Sequence, residues 1–333
     1  MTTDEAKTLS AQREVLRGMS SFVGEQTSLL LPVEKAWQPT DFLPDLTAED
    51  WREQLAAFRA PAGELDDPLL VVLVADMITE EALPSYSVAL NLLAEDPTGT
   101  DPGPWACWLR GWTAEENRHG DLLNAYLRLT GRVDMRAVEV TVHHLLNNGF
   151  SPRTHPDLYA GLVYPAFQER ATKISHANVA GLAAKQGEAA LDKICRRIAG
   201  DEARHEAFYV GAVGKALDDD PAGMLVSIMA LFRRVIAMPG RLMNDGKDPD
   251  LFDNFAAVAQ RLGVYTVGDY ADIVEHLVAT WKIASRPASG KAARAQEYLC
   301  KHAETVRSKA AQTAEAAAKQ PPAKFSWIFD RTA

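Results

Sequence analysis

The chain has 333 residues, 47% of them hydrophobic, and a formal net charge of −10 at pH 7. The apolar content suffices for a large core, while the acidic balance argues against a nucleic-acid partner. The sequence contains no run of about 18 apolar residues, so no transmembrane helix is predicted. Three cysteines stand far apart without a Cys-x-x-Cys pair, which argues against disulfide scaffolding and thiolate-bound metals.

The first residues lack the apolar stretch of a secretory signal and the acid-poor composition of a transit peptide. This composition favours a bacterial-type cytoplasm, although a mature protein of the plastid stroma would look similar. Prolines at 32, 39 and 44 exclude a continuous helix through the end of residues 1–48.

Helical periodicity then dominates the chain. A short helix is predicted at 50–59, followed by a long apolar helix at 69–94 that carries Glu80 and contains Pro84 as an expected kink. Further helices are predicted at 105–129, 134–148, 158–186, 188–216, 222–236, 253–261, 267–283 and 292–318.

The element pattern predicts an all-α fold with a four-helix core and accessory helices. We expect a single domain over 1–333, with the bundle core at about 66–217. Residues 1–48 and 319–333 are expected to be extensions that pack on the body.

A Glu-x-x-His pattern occurs twice, as Glu116–His119 and as Glu202–His205, and no other histidine has a glutamate three residues before it. Positions i and i+3 share one helix face, so each pair can aim a carboxylate and an imidazole at one point. Two such helices, with one further glutamate from each of two others, form the dinuclear metal site of ferritin-like bundles.

Glu80 and Glu169 are the candidates for the two further glutamates. They precede Glu116 and Glu202 by 36 and 33 residues, so the two halves of the chain repeat one arrangement. Carboxylate oxygens with one histidine per metal suit iron or manganese, and the pattern predicts two metal ions. From spacing alone, the neighbouring glutamates remain open alternatives: Glu81, Glu115 and Glu206.

The ordinary alternative is a pair of Glu–His contacts on solvated helix faces. It does not explain why both patterns lie in bundle-length helices and follow similarly spaced glutamates.

Long stretches of the chain resemble a known family, the soluble acyl-[acyl-carrier-protein] desaturases of plant plastids of the stearoyl type. The stretches include VEKAWQPTDFLPD, VVLVADMITEEALPSY, WTAEENRHGDLLNAYL, FQERATKISHAN, IAGDEARHEAFY and PAKFSWIFDR. The resemblance runs from about Pro32 to Arg331 and implies a ferritin-like di-iron fold. It also implies O2-dependent desaturation of an acyl chain on acyl carrier protein, electrons from ferredoxin, and a homodimer.

Carried over to this numbering, the resemblance implies six iron ligands: Glu80, Glu116, His119, Glu169, Glu202 and His205. It implies that Glu116 and Glu202 each serve the metal of the histidine on their own helix. It places Thr172 near the oxygen-binding face of the cluster, and assigns Trp37 and Asp201 to a route for electrons. Thr172 could equally bond its own helix backbone, and Trp37 could be a core anchor.

The resemblance also implies an acyl channel, with these residues as candidates: Ala89, Leu92, Leu93, Gly161 and Leu162. Simple core packing is the alternative for each of them. A basic dock for the acidic carrier is expected around Lys35 and Arg204, and also at Arg196 and Arg197. Leu31 and Ala203 stand where the family pattern has lysines, which weakens that face.

Two alternative functions share these ligands. One is a di-iron hydroxylase or oxygenase acting on another tethered acyl group, and the other is a ferritin-like iron-oxidising protein.

Overall fold

The computed structural model describes the backbone of residues 3–333 and the side chains from residue 5 onward. Within that range it contains thirteen α-helices, so the prediction of an all-α fold is confirmed. The first nine helices are α1 (Thr3–Gly18), α2 (Ser20–Gln26), α3 (Trp51–Ala62), α4 (Asp67–Glu80), α5 (Leu83–Leu90), α6 (Pro104–Thr130), α7 (Met135–Asn148), α8 (Leu158–Lys185) and α9 (Ala189–Asp219). The last four are α10 (Pro221–Phe232), α11 (Leu251–Leu262), α12 (Val267–Thr280) and α13 (Gly290–Lys319).

Helices α4, α6, α8 and α9 form the bundle that carries the paired motifs. Helix α4 is apolar on every side and is buried from Leu69 to Glu80, as expected for a helix enclosed by neighbours. Helices α8 and α9 pack along each other and are joined by a short turn at 186–188. Because the four helices meet at mid-length, their inward positions share one buried core.

The prediction of one continuous helix over 69–94 is wrong, because α4 ends at Glu80 and a second helix follows. Pro84 has no N–H to donate to the carbonyl of Glu80, so the i to i−4 ladder stops there. The structure instead places Pro84 in the first turn of α5, where a proline is tolerated. Helix α5 therefore starts in a new direction, with Leu83, Tyr86 and Leu90 on its buried side.

Local signals set several other helix ends. Gly131 ends α6 in the left-handed conformation at φ 68°, which a glycine adopts without steric cost. The Asp134 carboxylate accepts from the backbone N–H groups of Arg136 and Ala137 and so caps α7.

The N-terminal segment packs on the bundle. Gln12 donates to Asp157 Oδ1 at 2.8 Å and accepts from the backbone of Leu158 at 3.0 Å, so α1 completes the N-terminal cap of α8. Leu16 of α1 and Met19, which follows it, are buried against the body. Residues 1 and 2 of the expected extension lie outside the described residues.

The C-terminal segment ends in a hairpin of β1 (Lys324–Phe325) and β2 (Arg331–Thr332), which pair antiparallel. Between them, Trp327 is fully buried and donates its indole N–H to Thr141 Oγ1 at 2.9 Å.

Helices α10 to α13 pack around the bundle, with α10, α11 and α12 each against α13. None of the helices in residues 3–333 combines the length and apolar composition that crossing a bilayer requires.

Candidate metal centre

Two overlapping groups of buried side chains meet at the centre of the bundle. The first consists of Glu80, Glu116, His119 and Glu202, and the second of Glu116, Glu169, Glu202 and His205. In each group, one ligand-type atom from every residue lies within 4.8 Å of the others. The structure thus brings together all six residues that the resemblance implied.

Glu116 and Glu202 belong to both groups, which differs from the expected division of one glutamate per metal. His119 Nδ1 lies 3.3 Å from Glu202 Oε1, a residue of the opposite helix, and 4.0 Å from Glu116 Oε1 on its own helix. His205 Nδ1 lies 2.8 Å from Glu116 Oε1, again across the bundle. The reason is geometric: α6 and α9 face each other, so a carboxylate between them reaches both histidines.

The electrostatics of the cluster favour uptake of positive charge. Burial, followed by repulsion from Glu202, raises the pKa of Glu116 to about 7. Burial and the charges of Glu116 and Glu202 raise the pKa of Glu169 well above its ordinary value. Burial opposes protonation of His119, but the Asp201 and Glu202 carboxylates outweigh it and raise the pKa of His119 to about 10. The metal-free cluster therefore holds protons that divalent cations could replace.

The donor set fits such cations. Five buried ligand atoms have no hydrogen-bond partner of acceptable geometry among the described residues: Glu116 Oε1, His119 Nδ1, both carboxylate oxygens of Glu202, and His205 Nδ1. Buried polar atoms are normally paired, and such a concentration of unpaired atoms is typical of a cation-binding site. Hard oxygens with one imidazole per group match iron or manganese.

Asp201 lies behind His119, on the side away from the other carboxylates of the cluster. The outer nitrogen Nε2 of His119 lies 3.5 Å from Asp201 Oδ2, and Trp37 Nε1 donates to the same oxygen at 2.7 Å. The Trp37 ring lies parallel to the imidazole, with ring centroids 6.2 Å apart. A carboxylate behind a ligating histidine orients the ring and leaves Nδ1 free for the metal.

His205 has a carboxylate partner, Glu115, that corresponds to Asp201 behind His119. The sequence had offered Glu115 only as an alternative ligand. His205 Nε2 lies 3.0 Å from Glu115 Oε2. Arg204 donates to Glu115 Oε2 and to Asp201 Oδ1, both at 2.7 Å, and so ties the two supporting carboxylates together. A usable signal was present: Glu115 directly precedes the ligand Glu116, as Asp201 directly precedes Glu202.

Two further contacts that hold proposed ligands were not predicted from the sequence. His176 Nε2 lies 2.9 Å from Glu80 Oε1, and both side chains are buried. Trp112 Nε1 donates to Glu169 Oε1 at 3.0 Å. His176 follows Glu169 by seven residues, two helical turns, which places it on the same face of α8.

A cavity of about 40 Å³ adjoins the cluster and is lined mainly by α5, α6 and α8, with Tyr86, Leu90, Trp112 and Pro165 among its walls. That volume admits a few small molecules but no long acyl chain, so a chain would have to displace side chains. Thr172 also lines the cavity, although its hydroxyl donates to the backbone carbonyl of Gln168 at 3.0 Å. The hydrogen bond agrees with the alternative that Thr172 bonds its own helix backbone. Its place near the oxygen-binding face stays a prediction.

The proposed channel residues separate into two sets. Leu93, Gly161 and Leu162 are buried or enclosed, and a Cβ built on Gly161 would lie 3.5 Å from Leu93 Cδ2. None of the five lines the cavity beside the cluster, and Leu92 and Leu93 line a surface crevice next to α1 instead. Ala89 is half-buried and Leu92 is 41% exposed. The break after Glu80 explains this, because α5 turns its Leu83–Tyr86–Leu90 face inward and leaves Leu92 outside.

The expected docking residues also differ in their surroundings. Lys35 is exposed, and Arg196 is exposed beside Asp192. Arg204 is half-buried in its pairs with Glu115 and Asp201, so its charge is already neutralised within the protein.

A four-helix bundle with two Glu-x-x-His helices and a glutamate from each of the other two defines the class of ferritin-like dinuclear carboxylate proteins. The chain belongs to the fatty acid desaturase family, whose family model matches residues 11–329. The family predicted from the sequence is thereby confirmed.

Curated relatives agree. The chain is 50% identical over 323 residues to an acyl-[acyl-carrier-protein] desaturase, chloroplastic, of Cucumis sativus, covering 96% of this chain and 81% of that protein. It is 48% identical over 322 residues to a stearoyl-[acyl-carrier-protein] 9-desaturase, chloroplastic, of Spinacia oleracea, with the same coverage.

A solved structure confirms the fold at greater distance. The X-ray structure of DesA2 from Mycobacterium tuberculosis H37Rv, described as an acyl-ACP desaturase, superposes with a TM-score of 0.55 at 21% identity. The match covers 82% of this chain and 97% of that chain.

Proposed function

We propose that this protein introduces a cis double bond into a saturated acyl chain carried on acyl carrier protein, using O2 and electrons from ferredoxin. The observation that carries the proposal is the pair of overlapping ligand groups beside a small cavity, in a chain about 50% identical to acyl-[acyl-carrier-protein] desaturases. The product would be a monounsaturated acyl chain for fatty acid biosynthesis.

The centre would hold two iron ions. Glu80 and His119 would bind one, Glu169 and His205 the other, and Glu116 and Glu202 would reach both. When bound, the iron pair would supply activation of O2 and the two-electron oxidation of unactivated methylenes.

The protein's own side chains would orient and insulate this chemistry. Asp201, Glu115 and His176 fix the outward atoms of three ligands, which keeps the ligand set in one geometry. Trp37, bonded to Asp201, gives a contact from the proline-rich segment to His119 along which electrons could enter. The burial of the six proposed ligands would keep bulk water from the site.

The position of the double bond would be set by how far the acyl chain can extend past the metal centre. Leu93 packs over Gly161 of α8 and would limit that depth. The carrier is acidic, so exposed cations such as Lys35 would serve its approach. We further propose a single domain over 1–333, a homodimer, and a bacterial-type cytoplasm; the named plant relatives are chloroplastic.

The test is an aerobic assay of iron-loaded protein with ferredoxin, its reductase, NADPH and a panel of saturated acyl carrier protein substrates. Products are identified by mass spectrometry for chain length and double-bond position, and bound iron is measured in parallel. We expect a monounsaturated product and about two irons per chain, both lost in Glu116→Gln. Glu81→Gln, at a half-buried neighbour of Glu80, is the matched control and should retain both.

Other outcomes would identify the alternatives. A hydroxylated product would establish the oxygenase acting on a tethered acyl group. Iron oxidation without acyl product, from a shell-sized assembly on a sizing column, would establish the ferritin-like protein. Iron-loaded protein that changes no acyl substrate would contradict the proposal.

A further inference from the structure

Three tryptophans on α6 form a row that the proposed desaturation does not use. Trp105, Trp108 and Trp112 stand at positions i, i+3 and i+7, which share one helix face. All three are buried, with relative exposures of 6%, 0% and 2%. We name them the α6 tryptophan row.

The inner end of the row touches the metal centre. Trp112 donates its indole N–H to Glu169 Oε1 at 3.0 Å, and its ring centroid lies 6.4 Å from that of His205. An electron leaving this indole would thus have a direct contact with two of the proposed ligands.

Aromatic rings of α9 connect the three tryptophans. Tyr209 lies 6.0 Å from both Trp112 and Trp108, measured between ring centroids. Phe208 stacks on Trp108 at 3.5 Å and lies 6.1 Å from Trp105. These spacings are those of aromatic rings in contact, so consecutive indoles are linked through bridging rings.

The outer end reaches a surface crevice. Trp105 donates its N–H to the backbone carbonyl of Leu16 on α1. It also lines a crevice in which Arg13 and Arg17 are each paired with Glu95, and a small reductant could approach its ring there. Tyr209, by contrast, has a buried hydroxyl without a hydrogen-bond partner in the described residues, so it has no base to take its proton.

The row lies on the opposite half of the centre from Trp37. Trp37 contacts Asp201 and His119, whereas on the His205 side the corresponding carboxylate, Glu115, is bonded by Arg204. The centre therefore has aromatic contacts on both sides, from Trp37 at His119 and from Trp108 and Trp112 at His205, and only the Trp37 side has a role in the proposed reaction.

We propose that the α6 tryptophan row protects the centre by carrying oxidising equivalents outward when O2 has reacted and no acyl chain is present. Trp112 gives one electron to the oxidising equivalent in the site, and its N–H proton stays on the hydrogen bond to Glu169. Trp108 then reduces Trp112, and Trp105 reduces Trp108. A small anionic one-electron reductant such as ascorbate reduces Trp105 at the crevice and is itself oxidised.

This inference rests on the proposed function, because it requires O2 chemistry at the Glu169–His205 side. The experiment exposes reduced, iron-loaded protein to O2 without acyl substrate, with and without ascorbate. Peptide mapping by mass spectrometry then locates added oxygen on individual residues, and freeze-quench electron paramagnetic resonance looks for a tryptophan radical.

In the wild type, we expect oxidation concentrated at Trp105, suppressed by ascorbate, and a tryptophan radical signal. In Trp108→Phe, oxidation should shift to Trp112 and the peptides around Glu169, and ascorbate should no longer protect them. Trp281→Phe removes a buried tryptophan whose N–H donates to Val210 rather than into the row, and it should match the wild type. Trp105→Phe is a second, more peripheral variant, in which ascorbate protection should also be lost.

An oxidation map that Trp108→Phe and Trp105→Phe leave unchanged would overturn the role of the row. Desaturation of acyl carrier protein substrates is measured on the same preparations. If desaturation is intact and the oxidation map is unchanged, only the protective role of the row is refuted. If both desaturation and O2 consumption are absent, the proposed function is refuted and the role of the row with it.

Discussion

Trp37 donates its indole N–H to Asp201 Oδ2 at 2.7 Å, and the same carboxylate oxygen lies 3.5 Å from His119 Nε2. Trp37 comes from the proline-rich segment before α3, and 164 residues separate it from Asp201. The contact thus joins an N-terminal segment to the proposed metal centre through one carboxylate.

Trp37→Phe should slow reduction of the iron-loaded centre by ferredoxin by about 10- to 100-fold, the range for outer supports of a metal site. The phenylalanine keeps an aromatic ring against His119 but removes the hydrogen bond to Asp201. Stopped-flow reduction measures the rate, and Trp51→Phe on α3 serves as the control. Equal rates in both variants would exclude this route for electrons.

Arg204→Gln should lower the free energy of unfolding by about 2–3 kcal/mol, because it leaves two buried carboxylates without their shared cation. The two are Glu115 and Asp201, each 2.7 Å from Arg204 Nη2. Chemical denaturation of the metal-free protein measures the change.

Arg196→Gln is the matched control for Arg204→Gln. Arg196 is 60% exposed in its pair with Asp192, and such surface pairs contribute at most about 1 kcal/mol. Comparable losses in the two variants would show that Arg204 does not hold the supporting carboxylates.

Metal affinity should rise with pH, and more steeply below about pH 7 than above it. A carboxyl with a raised pKa retains its proton at higher pH, so below about 7 the metal must displace the proton of Glu116. His119, with a pKa of about 10, contributes a further proton over the whole range. Each displaced proton corresponds to about tenfold in affinity per pH unit.

Chelator competition at several pH values measures that slope. Glu81→Gln, which keeps every proposed ligand, should show the same change of slope near pH 7. A wild-type affinity independent of pH would contradict the assigned ligand set.

Leu93→Ala should shift preference towards longer acyl chains, because it opens space beside Gly161. Gly161→Ala should act in the reverse direction, since its methyl group would meet Leu93 Cδ2 at 3.5 Å. Discrimination between chains that differ by one methylene is about 10- to 200-fold in kcat/KM, which a substrate panel resolves. Val88→Ala, at a 71% exposed position of α5, should change nothing.

Trp327→Ala should destabilise the protein by about 3–5 kcal/mol, the cost of removing a buried aromatic side chain. Trp327 is fully buried and bonded to Thr141 on α7. Phe329→Ala, at a 54% exposed neighbour, should stay within about 0.5 kcal/mol. Thermal unfolding compares the two, and similar values would mean that the tail does not stabilise the body.

The fold class could be predicted because helical periodicity and loop composition are local properties. Gly131 and Asp134 set helix ends where expected. The prediction failed after Glu80, where the apolar run continues through Pro84 and the proline was expected to kink the helix rather than to end it. The decisive factor there is a single missing N–H at Pro84, whose acceptor carbonyl lies one turn earlier.

Channel positions could not be predicted as securely as the metal ligands. Leu93 and Leu92 are adjacent and chemically identical, yet one is buried and the other 41% exposed. Which of them is buried depends on the direction of α5, and that direction is set by the end of α4 before it.

The sequence by itself determined the ligand types, their i to i+3 spacing and the family, because one helix turn places a glutamate and a histidine on one face. Only the tertiary structure decided that Glu116 and Glu202 reach both histidines, that Glu115 supports His205, and that three α6 tryptophans connect the centre to a crevice. Those relations join residues up to 103 positions apart on different helices. They depend on the register in which α6 and α9 pack, and no local pattern in either helix encodes that register.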